Sequence, residues 1–261
     1  MGGVGIMDKN PVQSAERIFN VLEVLCKSGS IGLLELSSSL QLNKSTVHRL
    51  LASLIYMGYA AQDKETGKYM PTFKIVGLSQ QFLSRLDILS VVHPYLSKLS
   101  AASNETVHFV QREGCNVVYI DKIEAPGAME RSIRMASRIG LSRPMYCSAV
   151  GKAILAELPE DEQREVWNDS AIEKKTSFTI TSFSSLQQEL EHVKGSGYAI
   201  DNQENELGVR CIAVAIKSYK GGGEYAFSIS APVDRMDDNR VKELSACILE
   251  TKAEMYRELG I

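Results

Sequence analysis

The sequence predicts an α+β protein: an N-terminal winged helix-turn-helix, a helical linker and a larger C-terminal α/β domain. Three observations carry this expectation. Three amphipathic helices and a short hairpin follow one another within residues 11–71. Helical periodicity then fills 72–102. From Ser103 to the end, 103–261, short alternating strands are interleaved with helices.

The first helix is predicted over 12–27, because Ile18, Val21, Leu22 and Leu25 follow the i, i+3, i+4, i+7 rule. Ser28-Gly29-Ser30 ends it. A short second helix over 33–40 places Leu33, Leu36 and Leu40 on one face. After a turn of about three residues, Asn43 is placed as the N-cap of a third helix over 44–57. That helix directs Val47, Leu50, Leu51 and Leu54 to the core, and Gly58 stops it. Residues 59–62 and 68–70, around Asp63-Lys64-Glu65-Thr66-Gly67, read as a hairpin closed by Pro71. In 72–102 the stripe Ile75, Leu78, Phe82, Leu83, Leu86 and Leu89 suits packing on another helix, and His93-Pro94 predicts a break or a new helix start.

Strands are predicted at 106–111 and 116–122, then helices at 149–157, 161–167 and 186–195. Strands return at 211–217 and 225–230 around Gly221-Gly222-Gly223, and a helix over 238–259 ends the chain. In Cys211-Ile212-Ala213-Val214-Ala215-Ile216, strand alternation puts Cys211, Ala213 and Ala215 opposite the bulky residues. Ala226, Ser228 and Ser230 form a similar small face on the next strand. Such a face leaves room for a ligand or takes a closely packed helix, and both hold if a cavity sits at one end.

Composition excludes several classes. No apolar run approaches the ~20 residues of a membrane helix. Residues 1–10 are glycine-rich, with neither the basic nor the apolar region of a signal peptide, so a disordered N-terminus and a cytoplasmic location are expected. Cys26, Cys115, Cys147, Cys211 and Cys247 are scattered without a Cys-x-x-Cys pair, and the four histidines lack metal-ligand spacing. No metal or cofactor is expected. The formal charge of −3 looks unfavourable for a nucleic-acid partner, but its distribution reverses that. Residues 1–85 carry nine Lys/Arg against six Asp/Glu, a net +3, whereas the remainder carries 20 against 26, a net −6. A net +3 is modest for one protomer, so useful DNA affinity is expected to need at least two.

The third helix bears the strongest functional pattern. Its solvent side shows Lys44, Ser45, Thr46, His48, Arg49 and Ser53, residue types that reach phosphates and base edges from a recognition helix. Lys64 and Lys68 on the wing would contact the backbone or the minor groove, adding affinity rather than sequence choice. In the second domain, a helix starting near Ser148 would offer the N–H groups of Ala149 and Val150 to a carboxylate.

The order and spacing of several motifs resemble the IclR family of bacterial transcriptional regulators over nearly the whole chain. They are Val12-Gln13-Ser14-Ala15-Glu16-Arg17, Asn43-Lys44-Ser45-Thr46-Val47-His48-Arg49-Leu50-Leu51, Gly58-Tyr59, Ser148-Ala149-Val150-Gly151-Lys152-Ala153-Ile154-Leu155-Ala156, and Gly197-Tyr198-Ala199-Ile200-Asp201 through Gly208-Val209-Arg210-Cys211-Ile212-Ala213. The resemblance implies a winged helix, a dimerising linker and a GAF-like effector-binding domain, acting as a homodimer or homotetramer on duplex DNA with a pseudo-palindromic operator. It implies an effector site at Ala149, Val150, Asp201, Cys211, Ser228 and Ser230. Met135-Ala136-Ser137-Arg138-Ile139-Gly140 and Pro144-Met145-Tyr146-Cys147-Ser148 look like the regulators of pectin and sugar-acid breakdown. A 2-keto acid or sugar acid is therefore the expected effector, with repression the favoured mode. Arg138 and Tyr146 are candidates to touch its chain; a salt bridge and a core tyrosine fit them equally.

Enzyme readings fit less well, and no catalytic residue is expected. Gly151-Lys152 lacks the glycine and the Ser/Thr that a phosphate-binding loop needs at Tyr146 and Ala153. Cys211 has no Cys-His signature, which leaves a Ser148/Lys152 pair at i, i+4 spacing. The alternative function is a small-molecule-binding or enzymatic sensor whose helical N-terminus serves only dimerisation.

Overall fold

The computed structural model describes residues 10, 12–83, 87–125, 137–217 and 223–259. The chain divides into two compact units, Met1–Arg85 and Leu86–Ile261. The expected tail over 1–10, apart from Asn10, lies outside the described residues, as do Leu86, Met135-Ala136 and Gly221-Gly222.

The first unit contains α1 (Gln13–Ser28), α2 (Leu33–Ser39), α3 (Lys44–Tyr56), β1 (Ala60–Gln62), β2 (Tyr69–Pro71) and α4 (Lys74–Leu83). Val21, Leu25, Leu36, Val47, Leu51 and Leu54 bury the apolar stripes of the three helices against one another, over Ile31, Ala60 and Tyr69. Leu50 is half-buried at the edge of this core. Asn43 occupies the N-cap position of α3 in extended conformation, but its side chain makes no capping bond. The wing pairs Ala61 with Met70 across the hairpin. Its turn is held by Asp63, whose Oδ1 accepts the N–H groups of Glu65 and Thr66 at 2.9 and 2.7 Å. Those donors, Thr66 foremost, hold the Asp63 carboxyl below its ordinary range. Gly67 closes the turn at φ +67°, a conformation that costs a residue with a Cβ. A third short edge, not predicted from the sequence, is made by Ile31, which exchanges both backbone hydrogen bonds with Tyr69. Along α4, Val76 and Leu78 remain exposed, and Phe73 just before it is 91% exposed.

The second unit begins with α5 (Asp87–Ser103). This helix corrects the expected break, because it runs through Pro94. Pro94 removes one intrahelical hydrogen bond, yet Val92, Leu96 and Leu99 stay buried in one apolar cluster spanning the residue. Packing outweighs the local signal. The strands β3 (Thr106–Glu113), β4 (Asn116–Ile123), β5 (Ser142–Pro144), β6 (Ala199–Asn202), β7 (Val209–Lys217) and β8 (Gly223–Pro232) form an antiparallel sheet in the order β5-β4-β3-β8-β7-β6. The helices are α6 (Ala149–Ala156), α7 (Glu160–Asp169), α8 (Phe183–Ser196) and α9 (Asp238–Leu259).

The two faces of this sheet differ as the alternation of β7 and β8 predicts. Ile212, Val214, Ile216, Phe227 and Ile229 pack with residues of α5 and α9. Ala213, Ala215 and Ala226 pack with α6 and α8. Small residues let α6 come close to the sheet, and Gly151 lets the helix lie against the segment that leads into it. A Cβ at that position would lie 2.2 Å from the Met145 Cα and 2.4 Å from its carbonyl oxygen. Gly151 thus serves helix packing rather than phosphate binding.

Candidate functional site

Two surfaces hold the residues singled out from the sequence, one in each unit. In the first unit, Lys44, Ser45, His48, Arg49 and Ser53 are exposed on α3, and Thr46 is half-buried. Thr46, Arg49 and Ser53 line one wall of a groove of about 540 Å³. The other wall is the first turn and a half of α1, with Gln13, Ser14, Ala15, Arg17 and Ile18. These α1 residues carry part of a family-like motif, but sequence reasoning gave them no role. Their signal was the Gln-Ser-x-x-Arg run at a helix start, where free N–H groups and the Arg17 side chain favour an anion, against the charge of Glu16. Ser53 spends its hydroxyl hydrogen on the Arg49 carbonyl at 3.2 Å. Lys64 and Lys68 are both exposed on the wing.

In the second unit, Ala149, Val150, Asp201, Cys211, Ser228 and Ser230 line a single cavity of about 30 Å³. Strand register brings four of them together: Asp201 pairs with Cys211, Cys211 with Ser230, and Ala213 with Ser228. The cavity lies at the end of the small face that α6 leaves open. Ser148 caps α6, accepting the Gly151 N–H at 3.2 Å and donating to the Pro144 carbonyl at 2.8 Å. The N–H groups of Ala149 and Val150, in the first helical turn, have no intrahelical acceptor.

The cavity has further walls that the sequence did not disclose: Tyr119, Ser137, Arg143, Asn205, Glu206 and Val209. A bulge between Phe109 and Val110 in the β3–β4 register pairs Val110 with Tyr119. His108 on β3 lies within hydrogen-bond distance of Ser230 Oγ at 3.2 Å and Ser137 Oγ at 2.6 Å, and its ring sits 4.9 Å from that of Tyr119. Burial, reinforced by Lys122, pushes the His108 ring down to about 3, so it is neutral at physiological pH. Burial likewise raises the Tyr119 phenol and the Cys211 thiol. Cys211 is therefore a protonated wall residue rather than a thiolate nucleophile.

Asp201 is the chemically distinctive group. Its Oδ1 accepts the Glu204 N–H at 2.7 Å and the Asn205 N–H at 3.4 Å. Burial, and then the charge of Glu204, nevertheless push its carboxyl up to about 7, against the lowering effects of those N–H groups and Lys152. Lys152, 1% exposed, sits between two carboxylates, Glu189 Oε1 at 2.8 Å and Glu204 Oε1 at 2.5 Å. The Ser148/Lys152 pair considered from spacing does not form, because each side chain is committed elsewhere. Tyr146 is a core residue: its hydroxyl donates to the Glu173 carbonyl at 2.9 Å and its ring meets Trp167 edge-on. Arg138 is exposed, and Arg143 is the arginine on the cavity wall.

The IclR helix-turn-helix domain matches residues 14–64, and the C-terminal domain of the bacterial transcriptional regulator IclR matches residues 80–256. The chain is 34% identical over 256 residues to the HTH-type transcriptional regulator KdgR of Escherichia coli K12, covering 97% of this chain and 96% of that protein. It is 37% identical over 251 residues to the DNA-binding transcriptional repressor YiaJ of the same organism, covering 95% and 88% of the two chains. The crystal structure of Thermotoga maritima IclR superposes with a TM-score of 0.81 at 31% identity, over 95% of this chain and 99% of that one. The chain belongs to the IclR family of DNA-binding bacterial transcriptional regulators, whose C-terminal domain binds an effector.

Proposed function

We propose that this regulator represses transcription by holding a pseudo-palindromic operator as a homodimer or dimer of dimers, and that a 2-keto sugar acid in the second unit controls the hold. The observation that carries the reading is the single cavity joining the α6 N-terminus, Asp201 and two strand serines. The N–H groups of Ala149 and Val150, with Ser228 and Ser230, take the carboxylate. Protonated Asp201 donates to the 2-keto oxygen or a neighbouring hydroxyl, and Cys211 packs alongside. Tyr119, Ser137 and Arg143 offer further polar groups for a hydroxylated chain, which favours a sugar acid over a shorter one.

On the DNA side, Lys44, Ser45, Thr46, His48 and Arg49 enter a major groove, with Ser53 at the margin. Two such helices read half-sites ~34 Å apart. Lys64 and Lys68 contact the flanking backbone, while Ser14 and Arg17 seat a phosphate beside α3. The uncovered apolar residues Phe73, Val76 and Leu78 support a linker that pairs protomers. The family's regulators are not enzymes, and the cytoplasm suits a protein that must reach the chromosome.

A cavity of about 30 Å³ holds roughly two waters, far less than a six-carbon acid. Binding must therefore spread its walls, and that strain is the means by which ligand favours one protomer arrangement over another. Calorimetry with 2-keto-3-deoxygluconate, glyoxylate and pyruvate tests the reading. Heat is expected from at least one, with 2-keto-3-deoxygluconate binding tightest. Silence from all three would overturn the keto-acid assignment.

A further inference from the structure

A second concavity lies along β6, the open edge of the sheet, about 440 Å³ in volume and lined by Glu189, His192, Tyr198, Asn202, Glu204 and Arg210 among others. Two buried side-chain atoms in the described structure have no hydrogen-bond partner, Glu204 Oε2 and Arg210 Nε, and both residues line this groove. Glu204 is only 6% exposed. Its Oε1 binds Lys152, leaving Oε2 as an unmatched acceptor. Arg210 donates Nη1 to the Met236 carbonyl at 3.0 Å and Nη2 to Asp238 Oδ1 at 2.8 Å, leaving Nε–H as an unmatched donor. A buried acceptor or donor without a partner is costly, and both atoms, closed off from solvent, belong to side chains that line one groove.

Charge points the same way. Glu189 and Glu204 share the single ammonium of Lys152, so the trio carries a surplus negative charge, while the guanidinium of Arg210 is matched by Asp238. Glu189 is 29% exposed at the rim, within reach of an incoming ligand. Among the described residues no group of three His, Cys, Asp or Glu is placed to hold a metal ion. The complement is a compact donor-rich cation that also offers an acceptor.

We propose that this groove is a second ligand site, distinct from the effector cavity, which takes a small organic ammonium carrying a hydrogen-bond acceptor. The ammonium first meets Glu189 at the rim and, as the lining side chains part, donates to Glu204 Oε2, while the acceptor receives Arg210 Nε–H. Burial raises the Glu204 carboxyl, and an added cation relieves that cost.

The test is calorimetry on the full chain with ethanolammonium chloride, using tetramethylammonium chloride as a cation of equal charge that cannot donate. Ethanolammonium is expected to bind saturably with a dissociation constant on the order of 1 mM, and tetramethylammonium not at all. Glu204→Gln should weaken binding about tenfold or more. Glu189→Gln, which leaves the Lys152–Glu204 pair intact, should weaken it about threefold to tenfold and serves if the first variant fails to fold. Equal heats from the two salts, no saturation, or unchanged affinity in Glu189→Gln would overturn the proposal. None of these outcomes depends on which acid occupies the effector cavity.

Discussion

Arg49→Ala abolishes operator binding at physiological salt while leaving effector binding unchanged. Arg49 is exposed on α3, one turn beyond Ser45 and Thr46, and faces the groove shared with α1. It has no ion pair within the described residues, so its guanidinium is available to base edges or phosphate. One bidentate arginine contact is worth ~1–3 kcal/mol, and a dimer carries it twice. The expected loss is ~2–6 kcal/mol, or roughly thirtyfold to twenty-thousandfold. The side chain is outside the buried core of its unit, so thermal stability should barely change. Fluorescence anisotropy on the operator, paired with calorimetry on the effector, checks both halves. Lys64→Ala should behave differently, weakening all duplexes alike and lowering the salt slope by about one.

Effector affinity falls as pH rises through 7, and Asp201→Asn removes that dependence. With its carboxyl at about 7, Asp201 is protonated at pH 6 and largely ionised at pH 8. The groups that set this value come from several elements: Glu204, which raises it, the N–H groups of Glu204 and Asn205, and Lys152 on α6. Cys211 and Tyr119 face the same space but remain neutral, as does His108 against Ser230 and Ser137, and Arg143 and Glu206 also line the cavity. An arriving carboxylate favours the protonated form, so binding takes up a proton above pH 7. The dissociation constant should be flat below about pH 6 and rise up to tenfold per unit above pH 7. Asparagine keeps the oxygen that accepts the Glu204 N–H and cannot ionise, so the variant should bind with no slope and overtake the native protein by pH 8.5.

The same shift fixes the sign of a stability effect. The folded carboxyl titrates above its ordinary value of 3.8, so the folded state holds a proton the unfolded state has released. Stability is full below about pH 4 and is lost as pH rises towards 7, by at most a few kcal/mol. Asp201→Asn should therefore raise the melting temperature at pH 8 and hardly at pH 4. A wild-type affinity unchanged between pH 6 and 8.5 would refute this role for Asp201.

The fold was most legible where order is local. α1 and α3 obey a 3.6-residue period over three turns or more, and their observed bounds fall within a residue of the expected ones. β7 and β8 alternate small and large residues, which marked the helix-covered face; that Cys211, Ser228 and Ser230 line a site was read from the family resemblance instead. Non-local order was not legible. β3 is buried on both faces over Thr106–Val110, so no alternation singles out His108. The face taken by Tyr119 depends on a bulge in the β3–β4 register. Arg143 belongs to a three-residue edge strand that exists only through its pairing with β4. Pro94 fails as a helix breaker for the complementary reason: apolar contacts on both sides of it outweigh one lost backbone bond.

In the proposed function, one chain couples duplex recognition in its first unit to acid binding in its second. The most direct test selects bound fragments from random duplexes, with and without 2-keto-3-deoxygluconate, and titrates the selected sequence against salt. The expected result is a pseudo-palindrome with half-sites about one helical turn apart, a steep inverse salt dependence, and weaker retention when the acid is present. Enrichment of no sequence, or binding indifferent to both salt and acid, would contradict it.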